Sequence, residues 1–165
     1  MKQFYIYFMF ILCSISLFSQ NDREVKAVNM VMNQWHKDVA AADFDAYFNK
    51  MTTNSIFIGT DVSEVWSKKQ FEAFAKPYFN KKKTWDFTPL DRNIYFSKDL
   101  KTAWFDEVLN TWMGLCRGSG VLIQEKNNWK IVHYVLSVTV PNDDMKAVIQ
   151  VKKDKDSIQL VKFRN

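Results

Sequence analysis

The chain has 165 residues, a formal charge of +5 and two cysteines, Cys13 and Cys116. That length fits about one domain, and a domain of this size buries roughly 68–70% of its unfolded surface. The basic excess is split between Lys81-Lys82-Lys83 and an acid-interrupted tail at 152–164, with no nucleic-acid motif beside either, so nucleic acid is excluded as a partner.

In chain order, Lys2 precedes an apolar run at 4–18. A helix needs roughly 20 apolar residues to span a bilayer, so this run is short for an anchor. A basic start and small Ser19 fit a signal peptide at 1–19, cleaved between Ser19 and Gln20, although Leu17 at −3 is less ideal. Leu12 stands before Cys13 where a lipid-attachment motif wants a small residue. The expectation is export, periplasmic or secreted, with no stable membrane anchor; a retained, uncleaved anchor is the main rival. Residues 20–165 then form one domain. Cys116 is left without a partner, and a small buried strand residue is its simplest reading.

Residues 21–42 read as a helix, with Val25, Val28, Met32, Trp35 and Val39 recurring at steps of three and four. His36 falls off this stripe and is expected to be exposed. Asp43 can cap a short second helix carrying Phe44, Tyr47, Phe48 and Met51. Short strands at 56–58 and 64–66 flank the polar turn Gly59-Thr60-Asp61. Ser67 caps a third helix to about Asn80, with Phe71, Phe74, Ala75 and Tyr78 inward and Pro77 marking a kink or early end. Strands follow at 85–90, 93–97, 102–112, 116–125 and 129–140, separated by turns at Lys98-Asp99, Met113-Gly114 and Asn127-Asn128. Tight turns imply an antiparallel meander. Asp143 or Asp144 can cap a last helix with Met145, Val148 and Ile149 inward, and residues 158–163 read equally as helix, strand or tail.

Helices first and a long sheet after them make an α+β fold: a strongly curved antiparallel sheet, cone-shaped, wrapped around N-terminal helices. Its open mouth is a natural place for a small-molecule pocket. The strand at 129–140 alternates, with Trp129, Ile131, His133, Val135 and Ser137 on one face and Lys130, Val132, Tyr134, Leu136 and Val138 on the other. The first set is taken as the inner one.

The strings FIGTDVSEVW at 57–66, AWFDE at 103–107, RGSGVL at 117–122 and WKIVHYVLSVTVPN at 129–142, in this order of elements, resemble the SnoaL-like branch of the nuclear transport factor 2-like superfamily. The resemblance spans residues 25–149. It implies the cone fold, a homodimer through the outer sheet face, and either a ligand pocket or the chemistry of ketosteroid isomerases, polyketide cyclases and dehydratases. The isomerase's catalytic set has no residue-by-residue match; Tyr47 and Asp106 correspond in type only.

Function has to be argued from the site. His133 is the first candidate, with an ordinary pKa of about 6.5 suited to proton exchange. Asp106 and Glu107 are the candidate carboxylates, of which one faces inward. The apolar set Ala103, Phe105, Glu107 and Leu109 would bury Glu107 and raise its pKa, whereas Trp104, Asp106, Val108 and Asn110 look like a pocket wall; the reading favours Asp106. Arg117 could pair with a carboxylate or an anionic ligand. Asp61 and Glu64 border the turn before Trp66 and could line the cone mouth, although stabilising the turn is the default role of Asp61. Gly118 and Gly120 fit sheet curvature. Trp35, Tyr47, Asp61, Trp66, Trp104, Arg117, His133 and Ser137 make up the expected ligand set, with His133, Asp106 and Glu107 as catalytic candidates. Two distant histidines without a Cys/His cluster offer no metal site by spacing, and no cofactor is expected. The leading expectation is a pocket for an apolar or aromatic small molecule. The alternative is an acid–base enzyme using a carboxylate and His133.

Overall fold

The computed structural model describes the backbone of residues 2–164 and the side chains of residues 21–164. Helix α1 (Lys2–Ala40) is followed by α2 (Phe44–Asn49), β1 (Met51–Ile58), β2 (Val65–Ser67), α3 (Lys68–Asn80) and four strands. These are β3 (Thr88–Phe96), β4 (Thr102–Thr111), β5 (Gly114–Glu125) and β6 (Asn128–Val138); one 3₁₀ turn leads into α4 (Met145–Phe163). The expected signal peptide falls on residues whose side chains lie outside the described set. Among the described residues no helix is long and apolar enough to cross a membrane.

Local chemistry sets the element ends. The Asp43 carboxylate accepts from the Ala46 N–H and starts α2. Ser67 and Gln70 exchange side-chain and backbone hydrogen bonds in a capping box that starts α3, which continues past Pro77 to Asn80. Lys126 and Asn127 both take positive φ, 50° and 65°, giving the primed turn that joins β5 to β6 without splaying them. Gly114, at φ 85°, closes the β4–β5 hairpin.

The six strands form one curved, open sheet in the order β2-β1-β6-β5-β4-β3. β3 to β6 form an antiparallel meander, and β1 joins β6 in parallel, so the sheet is mixed rather than wholly antiparallel. Segments 85–90 and 93–97, expected as separate strands, are largely one: β3 runs through Pro89 with a register shift between Pro89 and Asp91. The concave face packs on α1, α2 and α3 through Val28, Met32, Trp35, Tyr47, Phe48 and Phe71, against Phe105, Leu109, Leu122, Ile131 and Tyr134. Cys116 is buried among them.

The register of β6 differs from strict alternation. Val121 of β5 pairs with His133, but its neighbour Leu122 pairs with Ile131, leaving Val132 as an extra residue. Such a bulge reverses the parity of everything beyond it. Trp129 and Ile131 face the core before it, and Tyr134 and Leu136 after it. His133, Val135 and Ser137 therefore belong to the outer face, contrary to the expectation from period two.

Two further expectations are corrected. His36 is buried, because the curved sheet wraps α1 over more than one stripe of its surface. α4 buries no residue: Met145 and Ile149 are exposed and Val148 is half-buried, while Lys155 and Lys162 of the helix come close enough to Asp61 to help lower its pKa.

Candidate functional site

Two regions of the concave side carry chemistry. The first is a buried polar cluster on Glu107, which β4 places inward between Phe105 and Leu109. Glu107 Oε1 accepts from His36 Nε2 at 2.9 Å and from the Tyr134 hydroxyl at 2.9 Å. Glu107 Oε2 accepts from Arg92 Nε at 2.9 Å and from its terminal nitrogen at 2.6 Å, a bidentate fork. The other Arg92 nitrogen donates to Asn29 Oδ1 at 3.0 Å and Asn33 Oδ1 at 2.8 Å on α1. Burial alone would push the Glu107 carboxyl up, but the hydrogen bonds and charges of His36 and Arg92 outweigh it and hold the pKa below the ordinary glutamate value. The raised pKa expected from burial is thus reversed by partners that sequence spacing does not show. Burial, and next the Glu107 charge, push the Tyr134 hydroxyl well up, so it stays a donor.

Gly118 makes the cluster possible. A Cβ there would lie 2.3 Å from the Tyr134 oxygen and 2.9 Å from Glu107. At Gly120 a Cβ would meet the His133 carbonyl oxygen at 2.5 Å and the Phe105 ring at 2.9 Å. Close approach of inward groups, in addition to curvature, explains both glycines.

The second region is an aromatic cavity of about 150 Å³ at the open end of the sheet. Its wall comes from Phe57 of β1, Trp66 of β2, Phe71 and Phe74 of α3, Trp85, Phe87, Leu136, and Trp112 and Met113 of the β4–β5 hairpin; Gly59, Thr60 and Glu64 complete it at the β1–β2 turn. The rings brace one another. Trp66 stacks on Phe74 with centroids 4.5 Å apart and on Phe71 at 5.6 Å, while Phe57 lies 4.0 Å from Phe71. Such offset stacks hold the walls in place. A separate cavity of about 330 Å³ is lined by Asn33, His36, Lys37, Asp86, Phe87 and Thr88, with Phe87 common to both.

Of the expected ligand set, Trp66 lines the aromatic cavity. Trp35 and Tyr47 sit deeper, stacked at 4.8 Å in the core, and their Nε1–H and O–H have no hydrogen-bond partner among the described residues. Burial pushes the Tyr47 hydroxyl well up. Asp61 stays in the turn, where Ser63 hydrogen bonds lower its pKa. Asp106 and Arg117 pair with each other at 3.1 Å on the outer face, and Trp104 stacks on Tyr95 there. His133 is half-buried and Ser137 exposed on that same face. The favoured carboxylate, Asp106, therefore gives way to Glu107 as the inward one. His36 and Arg92 were missed. Arg92 had no motif around it, whereas His36 beside Trp35 could have been found by asking what a curved sheet covers on a central helix.

The profile of the SnoaL-like domain matches residues 28–141. No curated protein matches the chain. Solved structures share the fold at low identity. A candidate dehydratase of the NTF2-like family from Streptomyces avermitilis has a TM-score of 0.63 at 14% identity, covering 73% of this chain and 99% of its own. A candidate scytalone dehydratase from Novosphingobium aromaticivorans gives 0.61 at 9%, with coverages of 74% and 88%. An NTF2-like protein from Cytophaga hutchinsonii gives 0.59 at 14%, with coverages of 69% and 97%. With the matched segment running from the core of α1 through the whole sheet, the chain belongs to the SnoaL-like domain family, on the nuclear transport factor 2-like fold.

Proposed function

We propose that the protein binds a small apolar or aromatic molecule in the cavity walled by Phe57, Trp66, Phe71, Phe74, Trp85 and Trp112. The aromatic lining of that cavity carries the reading. A dry apolar cavity of roughly 150 Å³ in another protein holds benzene, so a single ring is the expected scale. Titration with 2-phenylethanol, read by tryptophan fluorescence, tests it: saturable quenching is expected, strongly weakened in Trp66→Leu. Unsaturable behaviour contradicts it.

The second reading is an acid–base enzyme, and the His36–Glu107 pair favours it over one built on His133. A buried carboxylate 2.9 Å from an imidazole orients and polarises that ring, and His36 borders the 330 Å³ cavity. Glu107 itself already accepts four hydrogen bonds and makes a poor base. Turnover of a dehydratase-type substrate that vanishes in His36→Asn would support this reading.

Export and self-association complete the proposal. Lys2 and the apolar run at 4–18 support cleavage after Ser19, which leaves every described core residue in place. Intact-mass analysis of the protein from an exporting host tests this; a chain retaining residue 1 contradicts it. The outer face, with Trp104 46% exposed on Tyr95, supports a homodimer, and Trp104→Lys is expected to yield monomer in sedimentation.

A further inference from the structure

We infer that the aromatic cavity selects a single-ring ligand bearing a positive charge, such as an arylalkyl ammonium ion; this rests on the pocket reading above. In a chain of net charge +5, Glu64 is the one charged residue in the lining among the described residues. The turn holds it there. Gly59 donates its N–H to the Glu64 carbonyl at 2.9 Å, Glu64 N–H returns to the Asp61 carbonyl at 2.9 Å, and Glu64 Oε2 accepts from Asp61 N–H at 3.2 Å. A Cβ at Gly59 would fall 2.1 Å from that same carboxylate oxygen, so glycine is what lets the carboxylate close over the turn.

The remaining wall acts in the same sense. Trp66, Phe74, Trp85 and Trp112 are electron-rich rings whose faces attract cations, most strongly for tryptophan. An anionic ligand would meet Glu64 with no lysine or arginine among the described lining residues to offset it. Asp61 adds a second negative charge on the same turn, partly countered by Lys155 and Lys162 of α4. A ring seated against Trp66 and Phe71 would place a two-carbon ammonium tail toward the Glu64 rim.

The test compares three probes of nearly equal shape, 2-phenylethylammonium, 2-phenylethanol and phenylacetate, titrated against the full chain at low salt with tryptophan fluorescence as readout. The ammonium ion is expected to bind about tenfold tighter than the alcohol, and phenylacetate weakest, the scale of a cation–π contact plus a partly exposed ion pair. Glu64→Gln keeps an acceptor for Asp61 N–H, and it should bring the ammonium to within about twofold of the alcohol measured in the same variant. Equal or weaker binding of the ammonium, or a preference that survives in Glu64→Gln, overturns the inference while leaving the pocket reading intact. No saturable binding of any probe overturns both.

Discussion

The two ends of the concave face are built on opposite principles. Around Glu107 the polar groups pair with one another: a guanidinium, an imidazole and a phenol meet a fully buried carboxylate through four hydrogen bonds. At the mouth, rings of Trp66, Phe71, Phe74 and Trp85 stack on each other and still leave about 150 Å³ between them. Mutual pairing at one end and unfilled aromatic volume at the other teach that a concentration of charge can serve the fold as readily as a ligand. The Glu107 cluster ties β3, β4 and β6 to α1, and the aromatic end is the one proposed above to take a ligand.

The contrast can be broken by mutation. Glu107→Ala leaves Arg92 buried without its partner and is expected to cost about 3–5 kcal/mol, measured by urea denaturation. A cost under about 1 kcal/mol would mean that the cluster is not the clamp described. Its pH dependence follows from the sign of the shift. Because the folded Glu107 pKa lies below its unfolded value, its stabilisation is present above about pH 4.3 and is lost as pH falls through the folded pKa. Denaturation midpoints should therefore hold steady above that range and fall below it, with a shallower fall in Glu107→Gln. Gly118→Ala should cost about 1–3 kcal/mol, because its Cβ collides with the Tyr134 hydroxyl.

At the other end the effects shift from stability to binding. Trp112 is 80% exposed, so Trp112→Ala should change stability by under about 0.5 kcal/mol yet weaken 2-phenylethanol binding several-fold. His133→Ala, on the outer face, should leave that binding unchanged; a clear loss would tie the pocket to the convex side.

Much of the architecture was legible in the sequence because it rests on local periodicity. Val28, Met32, Trp35 and Val39 lie on one stripe of α1, and Asp43 and Ser67 cap the next two helices, as their chemistry requires. The apolar set from Ala103 to Leu109 pointed to the inward parity of β4, yet the reading favoured Asp106 from the opposite set. The site was harder to read. The bulge at Val132 is a property of three paired strands, so period two carried His133 to the wrong face. Arg92 and His36 meet Glu107 from 15 and 71 residues away, and only the tertiary fold joins them. The aromatic lining was foreshadowed only at Trp66, because its walls come from six separate segments.

The most direct measurement is a ¹H–¹⁵N spectrum of the indole N–H groups during titration with 2-phenylethanol, with the six tryptophans assigned by substitution. The account predicts saturable shifts at Trp66, Trp85 and Trp112 and a stationary Trp104. Shifts confined to Trp104, or none that saturate, would contradict it.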